Sequence, residues 1–390
     1  MNISGIVAEF NPLHKGHEYL INNAKKDGAV VVALSGNFVQ RGDVAICEKR
    51  KRTEMALGCG ADLVIELPVL WSMSTAGNFA LGAVSALSYI GCKSLIFGSE
   101  TGNINELIKT ADILNSEEFS QKLKEFSDSG ETFAQIRQTV AESCGAPKDI
   151  LKGANNNLGI EYIAAAKNGG FNLDFKTVTR RGAAHDSLAE EEFVSATLLR
   201  EKLKQGDFDF CLKYMPEKAF SLINKTDIAD IKNIETAILA VLRTKTIEDL
   251  RKLPDISEGV ENKLFDAIRV AENLDTLYNE VKVKRYTHAR IRRLCLSAFL
   301  GFDSEFFMKN VPYVRVLGFN KTGEQILKEN AKKSPVPIVS TVAQIKALSD
   351  SARKVFEFET KATDLFSLSL PQVKPCGLEY TSKIIKTGVF

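Results

Sequence analysis

The sequence predicts an α/β fold, with a Rossmann-like parallel sheet first, a mainly helical domain second and a small α/β tail last. In the first half of the chain, short apolar runs alternate with helical patterns, which is typical of βαβ units. These apolar runs are continuous, as expected of central strands that helices cover on both faces. From about residue 201 to residue 300, apolar positions recur every three to four residues, which predicts helices throughout.

The predicted elements follow in a regular order. Strand candidates occupy residues 3–10, 29–36, 61–68, 94–100 and 175–180, and a helical pattern follows each of the first four, from residue 17, over 47–60, over 76–91 and between about 104 and 168. Later helices cover 232–244, 257–274 and 287–301, and the tail offers strands at 313–319 and 336–340. We therefore divide the chain into a sheet domain (1–203), a helical domain (204–310) and a small C-terminal region (311–390).

Composition limits the partners and the location. The 390 residues include 51 basic and 49 acidic side chains, so any attraction to nucleic acid must come from how the charge is distributed. Seven cysteines, an odd number without a Cys-x-x-Cys pair, favour a reducing compartment. The first residues show no leader pattern and no stretch is long and apolar enough to span a membrane, so we expect a cytoplasmic protein without a membrane or a stable protein partner.

The sharpest chemical signal is the His14-x-Gly16-His17 motif, in the turn that joins the first strand to the first helix. In an open parallel sheet, ligands bind beyond the carboxyl ends of the strands, and the N–H groups at a helix N-terminus favour phosphate. Gly16 lets the backbone approach a ligand closely. Two imidazoles here can donate hydrogen bonds to phosphate oxygens, so we predict that His14 and His17 are catalytic.

Two other interpretations of the histidine pair are open. Histidines three residues apart could bind a metal, but no Cys, Asp or Glu nearby completes a convincing ligand set, and we expect no direct protein ligand to a metal. The pair could also be structural only.

The motif and its companions resemble a known family. A His-x-Gly-His after the first strand resembles the nucleotidyltransferase superfamily that includes class I aminoacyl-tRNA synthetases and pantetheine-phosphate adenylyltransferases. Further segments, in order between about residues 5 and 300, resemble the bacterial tRNA(Met) cytidine acetate ligases. They are "GIVAEFNPLHKGH", "SGNFVQRGDVAICEKRKR", "GADLVIELP", "FGSETGN", "NNNLGIEY", "TRRGAAHDS", "SATLLR" and "KRYTHARIRR".

The resemblance implies a reaction and an ATP site in residues 1–203. ATP, with Mg²⁺, would activate acetate as acetyl-adenylate, and the wobble cytidine of elongator tRNA(Met) would receive the acetyl group as N4-acetylcytidine. The expected ATP-binding residues are Val7, Ala8, Glu9, Phe10, Asn11, Pro12, Leu13, His14, Lys15, Gly16, His17, Glu18, Tyr19, Leu20, Gly102, Asn155, Asn156, Arg180, Arg181, Ser195 and Arg200.

Several of these residues also have plainer interpretations. Asn155 and Asn156 are at the entrance to a helix, where capping alone explains an asparagine, and Ser195 or Thr197 caps the helix that carries Arg200. The segment 35–43 can be an ordinary polar turn. Ala154 and Ala184 depart from the family pattern, where a proline and an aromatic residue are usual, so the detailed shape of the pocket can differ.

Two basic segments are candidates for tRNA contact. The first is "EKRKR" (48–52), and the second, between residues 282 and 293, holds six basic residues and no acid. The first segment can be a solvated helix face. The second can be solvated or can neutralise acidic neighbours such as those in 272–280. RNA binding would instead use the same charges for phosphate contacts. The candidate residues are Lys49, Arg50, Lys51, Arg52, Lys284, Arg285, Arg290, Arg292 and Arg293.

Two other functions compete with tRNA acetylation. A nucleotidyltransferase that makes a small dinucleotide cofactor would share the motif, but such enzymes are generally much shorter. A non-catalytic RNA-binding protein that retains the nucleotide fold is the second rival. Loss of tRNA acetylation on replacing both histidines would exclude the latter.

Overall fold

The computed structural model describes residues 1–126, 132–179, 194–257, 259–283, 286–306 and 308–388. Its strands are β1 (Ile3–Ala8), β2 (Ala29–Ser35), β3 (Phe38–Val39), β4 (Asp43–Val44), β5 (Leu63–Leu67), β6 (Ser94–Ser99), β7 (Asp174–Thr179), β8 (Val314–Phe319), β9 (Ile338–Val339) and β10 (Ile385–Lys386). The α-helices are α1 (Lys15–Lys25), α2 (Lys49–Gly58), α3 (Val69–Ser72), α4 (Ala76–Tyr89), α5 (Ile104–Leu114), α6 (Glu117–Glu125), α7 (Phe133–Ser143), α8 (Ala154–Gly169), α9 (Ala196–Gln205), α10 (Phe208–Tyr214), α11 (Glu217–Phe220), α12 (Glu235–Arg243), α13 (Ile247–Arg251), α14 (Val260–Val270), α15 (Leu274–Val281), α16 (His288–Leu300), α17 (Lys321–Asn330), α18 (Val342–Lys346), α19 (Asp350–Ser367) and α20 (Leu378–Thr381). Short 3₁₀ turns occupy Ile150–Lys152, Lys225–Asp227, Ile231–Ile234 and Ser304–Phe306.

The main sheet has the strand order β10-β8-β5-β2-β1-β6-β7. The five strands β5, β2, β1, β6 and β7 are parallel, which confirms the predicted Rossmann-like sheet. Strand β1 is in the middle of this set, between β2 and β6. The turn that follows β1 therefore opens at the centre of the carboxyl edge, where such sheets bind ligands.

Helices cover both faces of the sheet because successive strand residues point to opposite sides. On β2, Val31 and Ala33 join a core cluster that includes the apolar side of α4. Val30 and Val32 instead join a second cluster with residues of α1 and α2. The helical segment α12–α16 shares the first cluster, so its core is continuous with that of the sheet.

The C-terminal region completes the sheet. Strand β8 pairs antiparallel with β5, and β9 and β10 each pair in parallel with β8. The predicted tail strands at 313–319 and 336–340 are present, and pairing with β8 covers the edge of β5 that would otherwise have been exposed. The division at residues 203 and 310 stays a prediction, but strands from the third segment belong to the sheet of the first.

Among the described residues, none of the helices has both the length and the apolar character that crossing a membrane requires.

Candidate active site

The turn between β1 and α1 brings the two histidines together. His14 is the N-cap residue of α1, and its Nδ1 accepts a hydrogen bond from the Gly16 N–H at 3.1 Å. The Nδ1 of His17 accepts from the backbone N–H of His14 at 3.3 Å. The two rings stack with their centroids 3.7 Å apart. The two histidines therefore have a structural role as the capping box of α1.

The same contacts determine which ring nitrogen can donate. In a neutral imidazole one nitrogen donates and the other accepts, so a ring that accepts through Nδ1 carries its proton on Nε2. Both rings then have an Nε2–H donor at the N-terminal end of α1, where the helix dipole also favours an anion. Within the described parts of the chain, neither histidine belongs to a cluster that could hold a metal ion. This donor set fits a phosphate group.

Hydrogen bonds from two other parts of the chain to Asn11 hold the turn in place. The Asn11 side-chain oxygen accepts from the Ile46 N–H at 2.7 Å, and the Asn11 carbonyl accepts from Arg200 Nη1 at 2.8 Å. Arg200 belongs to α9, a helix that Ser195 caps by accepting from the Leu198 N–H at 3.2 Å. Arg200 therefore reaches the histidine turn and braces it, and its contact with ATP stays a prediction.

Glu9 places a carboxyl group near the cationic side chains of Arg41 and Arg200. It accepts from the Gln40 N–H at 2.9 Å. Burial raises the pKa of Glu9, while the Gln40 hydrogen bond and the charges of Arg41 and Arg200 act in the opposite direction. Burial also lowers the pKa of Arg200, against the opposing effects of Asp43 and Glu9. The turn is thus surrounded by partly desolvated charges of both signs.

The other predicted residues of the ATP loop differ in whether they are buried or line a surface cleft. Phe10 and Leu13 are buried, and the Phe10 and His17 rings pack edge to face with their centroids 5.1 Å apart. On α1, Lys15 and Glu18 line a separate cleft of about 600 Å³ against α10 and α11. The remaining loop positions lie in β1, in the turn or on α1, and these are Val7, Ala8, Pro12, Tyr19 and Leu20.

The loop after β6 is tied to the start of α8. Glu100 accepts from both the backbone N–H and the side-chain amide of Asn155, at 3.1 and 2.6 Å, and from the Asn156 N–H at 2.7 Å. Burial alone would raise the pKa of Glu100, but these hydrogen bonds outweigh it and hold the pKa below its usual value. The Asn156 side chain accepts from the N–H groups of Glu100 and Thr101. Both asparagines therefore brace this loop. Neither caps α8, whose N-cap residue is Gly153, so the capping interpretation is wrong.

Gly102 lies against the end of β7. Its φ is +64°, and a Cβ at this position would be 2.0 Å from the Thr179 hydroxyl oxygen. Only glycine fits such a position without a shift of the neighbouring strand. Arg180 and Arg181, predicted to follow Thr179 at this edge, lie outside the described residues.

The prediction of tRNA contact is wrong for Lys49 and Arg52 because both side chains are buried. Arg52 is 0% exposed and donates to the carbonyls of Glu9, Ser35, Gly36 and Cys47. It therefore links the carboxyl ends of β1 and β2. Nothing in the basic run "EKRKR" predicted this structural role.

Lys49 is the centre of a buried charge cluster, which we define as Lys49, Arg315, Glu66, Glu359 and Glu379. Its ammonium contacts Glu66, Glu359 at 2.8 Å and Glu379 at 2.6 Å. Arg315 contacts Glu66 at 3.2 Å and also Glu379. The three carboxylates are the one group among the described residues with metal-ligand spacing, and the ammonium already supplies the cation. The sequence carried no signal that joins these distant positions.

The second basic segment is also largely engaged within the protein. Arg290 and Arg293, whose side chains are 13% and 11% exposed, both pair with Asp255. Arg293 also donates to the Gln40 carbonyl at 3.3 Å, which links α16 to the loop beside Glu9. This pair therefore neutralises an acidic residue, but the acid is Asp255 and not one of residues 272–280. These contacts do not test tRNA contact by the two arginines.

The other basic candidates keep some exposure or are not described. Arg292 is partly exposed beside the Tyr278 ring, and Lys51 pairs with Asp227 at 3.1 Å. Arg50 is partly exposed and donates to the Lys383 carbonyl. Lys284 and Arg285 lie outside the described residues. For Arg50, Lys51 and Arg292, tRNA contact stays a prediction.

Comparison with known proteins gives the class of this protein first. The sequence profile described as HIGH Nucleotidyl Transferase matches residues 1–379, so the histidine turn and the sheet both lie within the match. The crystal structure of Thermotoga maritima TmcAL bound with alpha-thio ATP is similar at a TM-score of 0.91 and 30% identity, over 99% of this chain and 100% of that chain.

Relatives of nearly full length then give the particular family. The tRNA(Met) cytidine acetate ligase of Thermoanaerobacter sp. (strain X514) is 38% identical over 405 residues, which cover 99% of this chain and 100% of that protein. The Clostridium novyi (strain NT) protein of the same name is 39% identical over 373 residues, 90% of this chain and 92% of that protein. The chain belongs to the family of tRNA(Met) cytidine acetate ligases, and it is an ATP-dependent ligase.

Proposed function

We propose that this ligase activates acetate with ATP and transfers the acetyl group to the wobble cytidine of elongator tRNA(Met), which becomes N4-acetylcytidine. The observation that carries the proposal is the imidazole pair at the N-terminus of α1, with both Nδ1 atoms occupied by backbone donors. The ATP analogue named with the TmcAL structure supports the nucleotide, and the names of the relatives support acetate and tRNA(Met).

In the first step, a carboxylate oxygen of acetate attacks the α-phosphorus of ATP. The bond from that phosphorus to the bridging oxygen breaks, which gives acetyl-adenylate and pyrophosphate. The Nε2–H groups of His14 and His17 donate to phosphate oxygens whose charge grows in the transition state, at ~3 kcal/mol for a well-placed donor. Arg200 adds positive charge from the other side of the turn, and we assign the same role to Arg180 and Arg181.

Mg²⁺ bound to the triphosphate would offset part of its charge, and we assign it no direct protein ligand. The predicted positions around Gly102, Asn155 and Asn156 form the far side of the nucleotide site in this proposal. Since the asparagine side chains brace Glu100, we expect them to shape the pocket rather than to contact ATP through both amides.

In the second step, the exocyclic amine of cytidine attacks the acetyl carbonyl carbon. The bond from that carbon to the phosphate oxygen breaks, AMP leaves, and the amine loses one proton to the solvent. Activation is chemically required because a free carboxylate is too poor an acyl donor for an amine at neutral pH.

Acetylation of tRNA by the purified protein tests the proposal. The protein is incubated with ATP, labelled acetate and total bacterial tRNA, and the digested nucleosides are examined for labelled N4-acetylcytidine. We expect label in that nucleoside and none when ATP is omitted. ATP turnover without labelled nucleoside would refute the transfer step.

Variants of His14 separate catalysis from helix capping. His14→Asn keeps a side chain that caps helices well but has no Nε2 donor. We expect acetylation to fall by about 10²-fold or more, as on loss of one transition-state donor, while the urea midpoint of unfolding stays close to that of the wild type. His14→Ala should lower both quantities. Full activity of His14→Asn would contradict the assigned role.

A further inference from the structure

A basic groove lies beside strand β8, away from the histidine turn. Strand β9 pairs with Val314 and Arg315, and β10 pairs with Gly318 and Phe319, on the side of β8 that is opposite to β5. No strand pairs with the outer edge of β8 between these two contacts, at Val316 and Leu317, in the part of the chain that the structure describes. A cavity of about 730 Å³ occupies this gap.

The charges that line the groove are mainly positive. Its charged lining consists of Arg50, Lys383, Lys386, Arg315 and Glu379. Arg315 and Glu379 pair with each other, so the first three cations give the groove its net charge. Lys383 and Lys386 are exposed.

An exposed aromatic ring and several hydroxyl groups complete the groove. Tyr380 is 42% exposed, and its ring is held edge-on by Phe356 at 5.3 Å between centroids. Hydroxyl side chains line both ends of the gap, from Ser340 and Thr341 on one side and from Thr381 and Ser382 on the other. Cationic side chains that contact phosphates, beside an aromatic ring that can stack a base, are the combination that single-stranded RNA requires.

We infer that this groove, defined by Arg50, Tyr380, Lys383 and Lys386, binds an unpaired segment of the tRNA substrate. An acidic peptide would match the charge but would have no use for the exposed ring, so RNA fits more of the observations. The inference rests on the proposed function.

The groove is connected to the ATP site through α2. Arg50 is two residues before Arg52, which donates to the carbonyls of Glu9 and Gly36 in the turns after β1 and β2. RNA bound against Arg50 would therefore lie next to the helix that supports the site of activation.

Charge reversal and removal of the ring test the two parts of the groove separately. We expect Lys383→Glu with Lys386→Glu to raise the Kd for tRNA at least ~10-fold. The plot of log association constant against log salt concentration should become less steep by about 2, one for each lost phosphate contact. Tyr380→Leu should raise the Kd with an unchanged slope, because stacking releases no counterions. Filter binding over a series of KCl concentrations measures both, and ATP affinity should stay unchanged.

A matched control changes the same charge elsewhere. Lys109 and Lys148 are exposed lysines on the opposite flank of the sheet, and their double replacement by Glu should leave the Kd within about twofold. If the groove variants behave like this control, the inference is wrong. It is also wrong if they change the oligomeric mass but not tRNA affinity, since the edge of β8 would then pair with another chain.

The wild-type protein distinguishes the two proposals. Wild-type protein that neither binds nor acetylates tRNA would refute the proposed function itself. If the wild-type protein acetylates tRNA normally and the groove variants bind tRNA as tightly as the wild type, only the proposed site of RNA binding would be refuted.

Discussion

Replacement of Lys49 by methionine tests the buried charge cluster. Methionine nearly keeps the length of the side chain but removes the ammonium that three carboxylates share, and that ammonium is on a side chain only 3% exposed. At an effective dielectric constant of about 20, charges 2.8 Å apart attract by ~6 kcal/mol, and desolvation offsets most of this. Removal of one partner from a buried pair costs about 3–5 kcal/mol, and we expect the upper part of that range.

Urea unfolding at pH 7 and pH 5 measures this loss of stability. Burial and the charge of Glu66 raise the pKa of Glu359 to about 7, so this carboxyl is protonated in the folded protein at pH 5. Its raised pKa makes the folded wild-type protein less stable as the pH rises from about 4.5 through 7, because the folded state then binds more protons than the unfolded state. With Lys49 replaced, the remaining cluster has a net charge of about −1 at pH 5, where Glu359 is protonated. As the pH rises through 7 and above, ionisation of Glu359 adds negative charge that no ammonium offsets, so the variant should lose less stability at pH 5 than at higher pH.

Lys51→Met is the matched control on the same helix. Lys51 is 25% exposed and pairs with one carboxylate, Asp227, so its loss should cost at most about 1 kcal/mol at either pH. Equal losses for the two variants, or a Lys49→Met loss that does not depend on pH, would refute the reasoning.

Two further predictions concern positions at the sheet edge and on α16. Gly102→Ala should weaken ATP binding, measured by calorimetry, because the added Cβ displaces Thr179. Gly170→Ala, with a similar φ of +68° and nothing within 4 Å, should cost only about 1 kcal/mol of stability and leave ATP affinity unchanged. Arg293→Ala should destabilise the protein by about 1–3 kcal/mol, since it leaves Asp255 with one partner fewer, and should not change the salt slope of tRNA binding. A lower slope at normal stability would show that Arg293 contacts phosphate.

The sheet and its functional turn could be predicted because their signals are local. The apolar runs of β1, β2, β5 and β6 and the motif at His14 each lie within about ten residues of sequence. Parallel topology then brings the carboxyl ends of the strands to one edge. These features needed no knowledge of distant contacts.

The roles of the basic residues could not be predicted because they depend on distant partners. Lys49 and Arg52 are three residues apart within one charged run, yet both are buried, and the acids that contact Lys49 come from β5, α19 and α20. A charge run is usually a solvated face, and nothing local marks an exception. Asp255 is likewise 35 and 38 residues from the arginines that it binds.

The attachment of α2 to the C-terminal region has a consequence for how the chain is made. Glu48 pairs with Lys374, Lys49 with Glu379, and Arg50 donates to the Lys383 carbonyl. A ribosome synthesises the N-terminal strands of this sheet long before those partners exist, and N-terminal segments otherwise tend to fold first. Until residues 374–383 have emerged, the start of α2 keeps its charges in water and the support beneath the ATP turn is incomplete. We therefore expect the support beneath the nucleotide site to be completed only after residues 374–383 have been synthesised.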